Sequence, residues 1–182
     1  DIHGSRSACE AVLARCTAEK ADRLILLGDL LYHGPRNELP DQYDPKAVTK
    51  LLNEFPVTPM CVRGNCDAEV DQMVLSFPIR ADYMLLPLPD GRCAFVTHGH
   101  LFNLEAMPPY KAGDLLIHGH THVNVITEKD GLTYINPGSA ALPKENQPKS
   151  YMTLDYEREL FEIKTLDGEV IRTFCAKEGA EG

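Results

Sequence analysis

Asp1-Ile2-His3, Gly28-Asp29, Gly64-Asn65, His98 and His120-Thr121-His122 follow one another along this chain, each at the end of an apolar run or next to one. Any fold must therefore bring the tips of several buried strands, with polar side chains on them, to a common edge. The chain has seven histidines in 182 residues, most of them beside a glycine, and that pattern is not the pattern of core packing. Imidazoles interleaved with carboxylates and one amide read as ligands for two divalent metal ions that share a carboxylate.

Each tip has its own logic. Asp29 follows Leu24–Leu27 and Gly28, so a buried strand delivers a carboxylate to the sheet's carboxyl edge, where α/β proteins place their sites. Glycine beside it lets the backbone approach a ligand. Taken alone, Gly28-Asp29 is equally a turn. In His118-Gly119-His120-Thr121-His122, residues two apart in an extended segment point the same way, so His120 and His122 can face one site. Thr97-His98-Gly99-His100 repeats the arrangement; His98, at the strand end, is the ligand candidate, with His100 behind it or in solvent. His118 reads as a hydrogen-bonded core histidine. In Asp1-Ile2-His3, Ile2 points to the core between two ligand-type side chains. Asn65 offers a neutral carbonyl oxygen, and the helix start after it favours an anion.

The surrounding pattern is α/β. Helical spacing runs from Ser5 to about Glu19, with Ser5 or Ser7 as cap, and from Asp44-Pro45 to about Phe55. Arg23–Leu27 and Pro59–Arg63 are short buried strands. Asp67–Leu75 is expected to be a helix carrying Val70, Met73 and Val74 inward. Strands then follow at Tyr83–Leu88, Arg92–Thr97, Leu115–His118, Val123–Glu128 and Thr133–Ile135, and Tyr151–Asp155, Leu160–Thr165 and Glu169–Phe174 form a closing meander. Alternation followed by hairpins predicts one domain over residues 1–182, a mixed α/β sandwich rather than a doubly wound sheet, with a tail that frays from Ala176.

Composition narrows the function classes. A net charge of −9 argues against a general nucleic-acid binder. It leaves anionic substrates open, because bound dications reverse the local field. No apolar stretch is long enough to cross a bilayer. Six cysteines without CxxC spacing suit a reducing, cytoplasmic setting better than a disulfide framework. The sequence begins at Asp1 without a methionine, so an upstream targeting segment would lie outside it.

Taken together, Asp1-Ile2-His3-Gly4, Gly28-Asp29 with the following Leu30-Leu31-Tyr32-His33-Gly34-Pro35-Arg36-Asn37, Arg63-Gly64-Asn65-Cys66-Asp67, Thr97-His98-Gly99-His100 and Gly119-His120-Thr121-His122 resemble the calcineurin-like metallophosphoesterase superfamily, and within it the small bacterial YfcE-type phosphodiesterases. The match runs from Asp1 through Asn136-Pro137-Gly138-Ser139, and several motifs in order are far more specific than any one. The resemblance implies a four-layer αββα sandwich of two mixed β-sheets flanked by helices. It also implies one metal held by Asp1, His3, Asp29 and His122, and a second by Asp29, Asn65, His98 and His120. The implied reaction is phosphodiester hydrolysis by attack of a metal-bridging hydroxide. Manganese is the expected cofactor in vitro, with iron, zinc, cobalt or nickel also suited to these ligands.

Two departures from the family pattern stand out. Cys66 occupies the position of the usual leaving-group histidine, and is either a weak catalytic donor or a small filler. Family members also carry a strand before D-x-H, so this sequence is expected to lack its true start. Arg36 and Asn37 could line the substrate mouth, or simply sit on a surface loop. Asp67 could orient a ligand or Cys66, or favour a helix N-terminus. The expected partner is a small phosphodiester, with no stable nucleic-acid complex, no membrane attachment, and a homo-oligomer left open. Two further readings remain: a non-catalytic scaffold like the superfamily's retromer subunit, and a nuclease.

Overall fold

Helix and strand alternate in the first half because the apolar residues follow two different periods. The Ser5 side chain accepts from the Ala8 N–H at 3.2 Å and starts α1 (Arg6–Ala18), which buries Ala8, Cys9, Leu13 and Cys16. Asp44 accepts from the Ala47 N–H at 3.0 Å, and Pro45 then opens α2 (Pro45–Glu54), which buries Val48 and Leu52. β1 (Ile25–Leu26) lies between the helices in sequence and pairs in parallel with β2 (Met60–Cys61). Leu24 and Leu26 pack toward α1 and α2, whereas Ile25 and Leu27 pack toward the next sheet. That split by alternate residues is how a strand covered on both faces distributes its side chains.

The computed structural model describes residues 1–177. After β2 comes α3, which is only Asp71–Val74. Here the expected helix over Asp67–Leu75 is corrected, and so is its orientation, because Val70, Met73 and Val74 are exposed. The physical reason is local. The Asp67 carboxylate binds loop N–H groups, and Asp71 accepts from the Ala68 N–H at 2.7 Å, so helical geometry begins late.

β3 (Tyr83–Pro87), β4 (Cys93–Thr97), β5 (Leu115–Ile117), β6 (Asn124–Lys129) and β7 (Leu132–Pro137) form a mixed sheet in the order β3-β4-β5-β7-β6. Its central strands β4, β5 and β7 are parallel and its edges antiparallel. β8 (Ser150–Asp155), β9 (Leu160–Thr165) and β10 (Val170–Cys175) make the antiparallel meander. The central core joins Ala94, Val96, Leu115, Ile117 and Ile135 to Phe161 and Ile163, with Ile25 and Leu27 against it. On the far face, Phe95, Leu116, Leu132 and Tyr134 are covered by Phe102, Leu104 and Met107. These layers are the expected sandwich, although this outer cover is irregular chain instead of helix. Asn103 accepts from the Glu105 and Ala106 N–H groups at 2.8 and 3.0 Å, a side-chain turn that competes with helix there.

Ala176 does not fray: it is buried, and its N–H donates to the Glu159 carbonyl at 2.9 Å. The rest of the expected frayed tail, 178–182, lies outside the described residues. No helix among the described residues is long and apolar enough to cross a membrane. For the site, the decisive feature is that β1 and β2 run parallel to each other, as do β4 and β5, so the carboxyl ends of all four open on one edge.

Candidate metal centre

All seven residues expected to be ligands meet at that edge. His3 Nε2 and His122 Nε2 are 3.1 Å apart, with Asp1 Oδ1 at 3.8 Å from the first and 3.5 Å from the second. His98 Nε2 lies 3.1 Å from both Asn65 Oδ1 and His120 Nδ1. Asp29 stands between the two groups: its Oδ2 is 3.7 Å from His3 Nε2 and 3.4 Å from His98 Nε2. Its other oxygen accepts from the Cys66 N–H at 2.8 Å.

The donor chemistry of these atoms fits divalent cations. His3 Nδ1–H donates to the Tyr32 carbonyl at 2.9 Å and His122 Nδ1–H to the Leu142 carbonyl at 2.7 Å. A carbonyl only accepts, so the proton of each neutral ring sits on Nδ1 and each Nε2 presents a lone pair. Burial, the largest cause, lowers the pKa of His3, His120 and His122 to about 4, so these rings are neutral at pH 7. Two lone pairs then face each other at 3.1 Å, beside a buried Asp1 Oδ1 that has no hydrogen-bond partner among the described residues. An acceptor facing acceptors is costly without a cation between them. His98 Nδ1–H donates likewise to the Leu27 carbonyl at 2.7 Å, so a proton or a cation must lie between its Nε2 and Asp29 Oδ2. Burial alone would raise the Asp29 pKa; the His98 hydrogen bond, the Cys66 N–H and, in the acid range where the carboxyl itself titrates, the positive charges of His98 and His3 outweigh it and hold the carboxyl below the usual range.

Local backbone geometry aims these side chains. His3, Asp29, His120 and His122 have φ of 50°, 53°, 66° and 63°, a left-handed conformation that non-glycine residues adopt at a cost of about 1–3 kcal/mol each. His120 and His122 do share a site, but through this twisted loop and not through strand alternation. Tertiary bonds hold it: Asp1 Oδ2 accepts from the His120 N–H at 3.0 Å, and the Asp29 carbonyl accepts from the His3 N–H at 2.8 Å. Asn136 Nδ2, buried, donates to the Gly119 carbonyl at 2.9 Å and lies 2.9 Å from Thr121 Oγ1. Ser139 Oγ–H donates to the Asp1 carbonyl at 3.0 Å. The Asn136–Ser139 turn thus braces the Asp1 and His120–His122 loops from behind.

Asp67 is more important than its sequence context indicated. It is buried, and its carboxylate accepts backbone N–H groups from Asp29, Leu30 and Gly64 at 2.8, 2.9 and 2.7 Å. The only signal for this was the spacing of an acid two residues after Asn65. Cys66 Sγ belongs to the same cluster as His3 and Asp29, with their ligand-type atoms within 4.8 Å of one another. Burial, then the charge of Asp29, pushes the Cys66 thiol up to about 12. Arg36 is exposed on the loop after Asp29, and Asn37 Nδ2 donates to the His33 carbonyl at 2.8 Å within that loop. His118 is a buried histidine with its ring centroid 4.6 Å from that of Tyr134. His100 lies beside His98, at 5.4 Å between ring centroids.

Residues 1–159 match the calcineurin-like phosphoesterase superfamily domain. The chain belongs to that superfamily. It is 47% identical over 155 residues to the phosphodiesterase YfcE of Escherichia coli K12, a match that covers 85% of this chain and 84% of that protein. A solved structure of YfcE, described as a phosphoesterase from E. coli, aligns with a TM-score of 0.91 at 42% identity, over 97% of this chain and 96% of that one. A structure described as a novel archaeal phosphodiesterase shares the fold, with a TM-score of 0.62 at 21% identity over 94% and 96% of the two chains. Membership in the superfamily implies divalent metal ions, and the convergent histidines and aspartates are where they would bind.

Proposed function

We propose that this chain hydrolyses small phosphodiesters with two divalent cations, one held by Asp1, His3, Asp29 and His122 and the other by Asp29, Asn65, His98 and His120. The observation that carries the proposal is the convergence of acceptor-only atoms on both sides of Asp29 Oδ2. Bound there, two cations would acidify water toward neutrality and neutralise charge developing on phosphoryl oxygens. The chain's own residues do the rest. The carbonyls of Leu27, Tyr32 and Leu142 fix the tautomers and the orientations of three rings. Asp29, kept ionised, supplies the shared negative charge. The Cys66 thiol, kept protonated and clustered with His3 and Asp29, would be a proton donor to a leaving oxygen. Arg36, exposed on the loop after Asp29, and Asn37 beside it would line the substrate mouth, where a guanidinium suits a phosphate oxygen.

Mixed nitrogen and oxygen ligation suits manganese, iron, zinc, cobalt or nickel, and manganese is the choice for activity in vitro. The net charge of −9 favours a small substrate over a nucleic-acid polymer, and six free cysteines accord with a cytoplasmic enzyme. The test is a screen of metal-reconstituted protein on mono- and diesters, aryl and nucleotide, with Asp29→Asn and His120→Ala as controls. We expect manganese-dependent cleavage of aryl diesters. Each control should lose at least about 10²-fold, because several kcal/mol of transition-state stabilisation leave with the metal. Full activity in both controls would reject the proposal by tracing the activity to a contaminant, and none in the parent with any of the five metals would reject it in favour of a binding scaffold.

A further inference from the structure

We infer that Asp67 is a positioning residue for the second cation: its carboxylate ties the tips of β1 and β2 together and so sets where Asp29 and Asn65 stand. The inference rests on the two-cation reading above and goes beyond it in assigning a role to a residue that touches neither metal nor substrate. β1 and β2 are joined by only two residue pairs, Ile25 with Met60 and Leu26 with Cys61. Both ligands lie three or four residues beyond this pairing, where no ladder fixes their separation.

The Asp67 carboxylate replaces the missing ladder. One oxygen, Oδ2, accepts from the Asp29 N–H on the first tip and from the Gly64 N–H on the second, at 2.8 and 2.7 Å. Oδ1 accepts from the Leu30 N–H at 2.9 Å. In return the Asp29 side chain accepts from the Cys66 N–H at 2.8 Å, which turns its Oδ2 toward His3 and His98. The two aspartates thus brace each other through opposite tips. Asp29 is held at φ 53°, with its N–H bonded to Asp67 and its carbonyl accepting from the His3 N–H. Only a carboxylate can do this, since an amide has one accepting oxygen and would turn an NH₂ group toward an N–H donor.

Asp67→Asn should therefore affect the two cations unequally. The first shares Asp29 but takes its other three ligands, Asp1, His3 and His122, from side chains that Asp67 does not touch, so one ligand in four rests on the brace against two in four for the second. The second depends on Asp29 and Asn65, and both are mounted on the braced tips. Titration calorimetry with manganese alone should give two bound ions in the parent. In Asp67→Asn the second ion should bind about 10–100-fold more weakly, the usual loss when a partner behind a ligand is removed, while the first changes much less. Electron paramagnetic resonance should report the same split, with the signal of a coupled manganese pair giving way to that of an isolated ion. Lys164→Met, which breaks the ion pair with Glu19 away from the site, controls for simple destabilisation and should lower the melting temperature without this split.

Equal weakening of both ions, or no weakening, would overturn the role of Asp67 while leaving the two-cation reading intact. Fewer than two ions in the parent would remove both. If Asp67→Asn does not fold, hydrogen exchange in the metal-free parent decides: protected amides at Asp29, Leu30 and Gly64 support the brace, and exchange there at unprotected rates overturns it.

Discussion

At position 66 the chain carries a thiol where most of the superfamily has an imidazole. Burial and the nearby Asp29 charge keep it protonated, up to a pKa of about 12, so it has a proton to give but is a weak hydrogen-bond donor. Turnover should then depend on how well the departing oxygen leaves unaided. Cys66→His is expected to raise kcat on alkyl diesters, toward the lower end of the ~10²–10⁴-fold typical of general acid catalysis. Aryl diesters, whose leaving groups need less protonation, should gain less. Steady-state rates of parent and variant on both substrates check this, and equal rates throughout would leave Cys66 a filler. Which residues converge was legible in the sequence, because Asp, Asn and His at the ends of apolar runs, in this order, form a specific pattern. How they are aimed was not. The left-handed backbone at His3, Asp29, His120 and His122 depends on bonds to groups as distant as Asp1 from His120, and no local pattern encodes those.

Among the elements, the pair β1 and β2 does most to place the site. The expected strands at Arg23–Leu27 and Pro59–Arg63 were correctly located but too long, because the apolar pattern marks burial while ladder bonds mark pairing. Their tips pass so close at Gly28 and Gly64 that a Cβ on Gly64 would overlap the Asp29 backbone nitrogen and its Oδ1. Gly64→Ala should therefore push the tips apart, cost about 1–3 kcal/mol as overpacking does, and abolish metal-dependent activity. Gly91→Ala is the comparison. That glycine, unlike Gly64, has a positive φ, 91°, but a methyl group there would meet nothing within 4 Å, so the variant should lose about 1 kcal/mol and keep its activity. Denaturant unfolding and a diester assay on both variants separate the two effects; an active Gly64→Ala would mean the close approach is incidental. The short α3 was the element least legible, since Val70, Met73 and Val74 have helical spacing yet face solvent. The use of Asp67 by the two tips outweighs helix propensity there.

For the whole molecule, the site is a source of instability that cations should relieve. Left-handed ligand residues, facing lone pairs and an unpartnered Asp1 oxygen all weigh against the metal-free fold. An ion present at about 100 times its Kd adds roughly 2.7 kcal/mol, so chelation at pH 7 should lower the melting temperature clearly. Acid should then act on the chelated protein through the histidines. Burial, the first cause in each case, lowers His3, His118 and His122 to about 4 in the folded chain, against roughly 6.5 when unfolded. Between those values the unfolded state binds more protons, so stability rises with pH and falls as pH drops through this window. Each pKa unit is worth about 1.4 kcal/mol, a large share of a typical total of ~5–15 kcal/mol. Manganese should oppose this loss across the window and fail only as pH nears the folded-state value of about 4, where protons compete for the same ring nitrogens. Melting curves of chelated and manganese-loaded protein, followed from about neutral pH down to roughly the folded-state value near 4, test both halves at once. A chelated protein whose melting temperature stays flat across that range would mean that the folded rings take up protons as readily as the unfolded ones, and the argument that burial keeps them neutral with free lone pairs would fail with it.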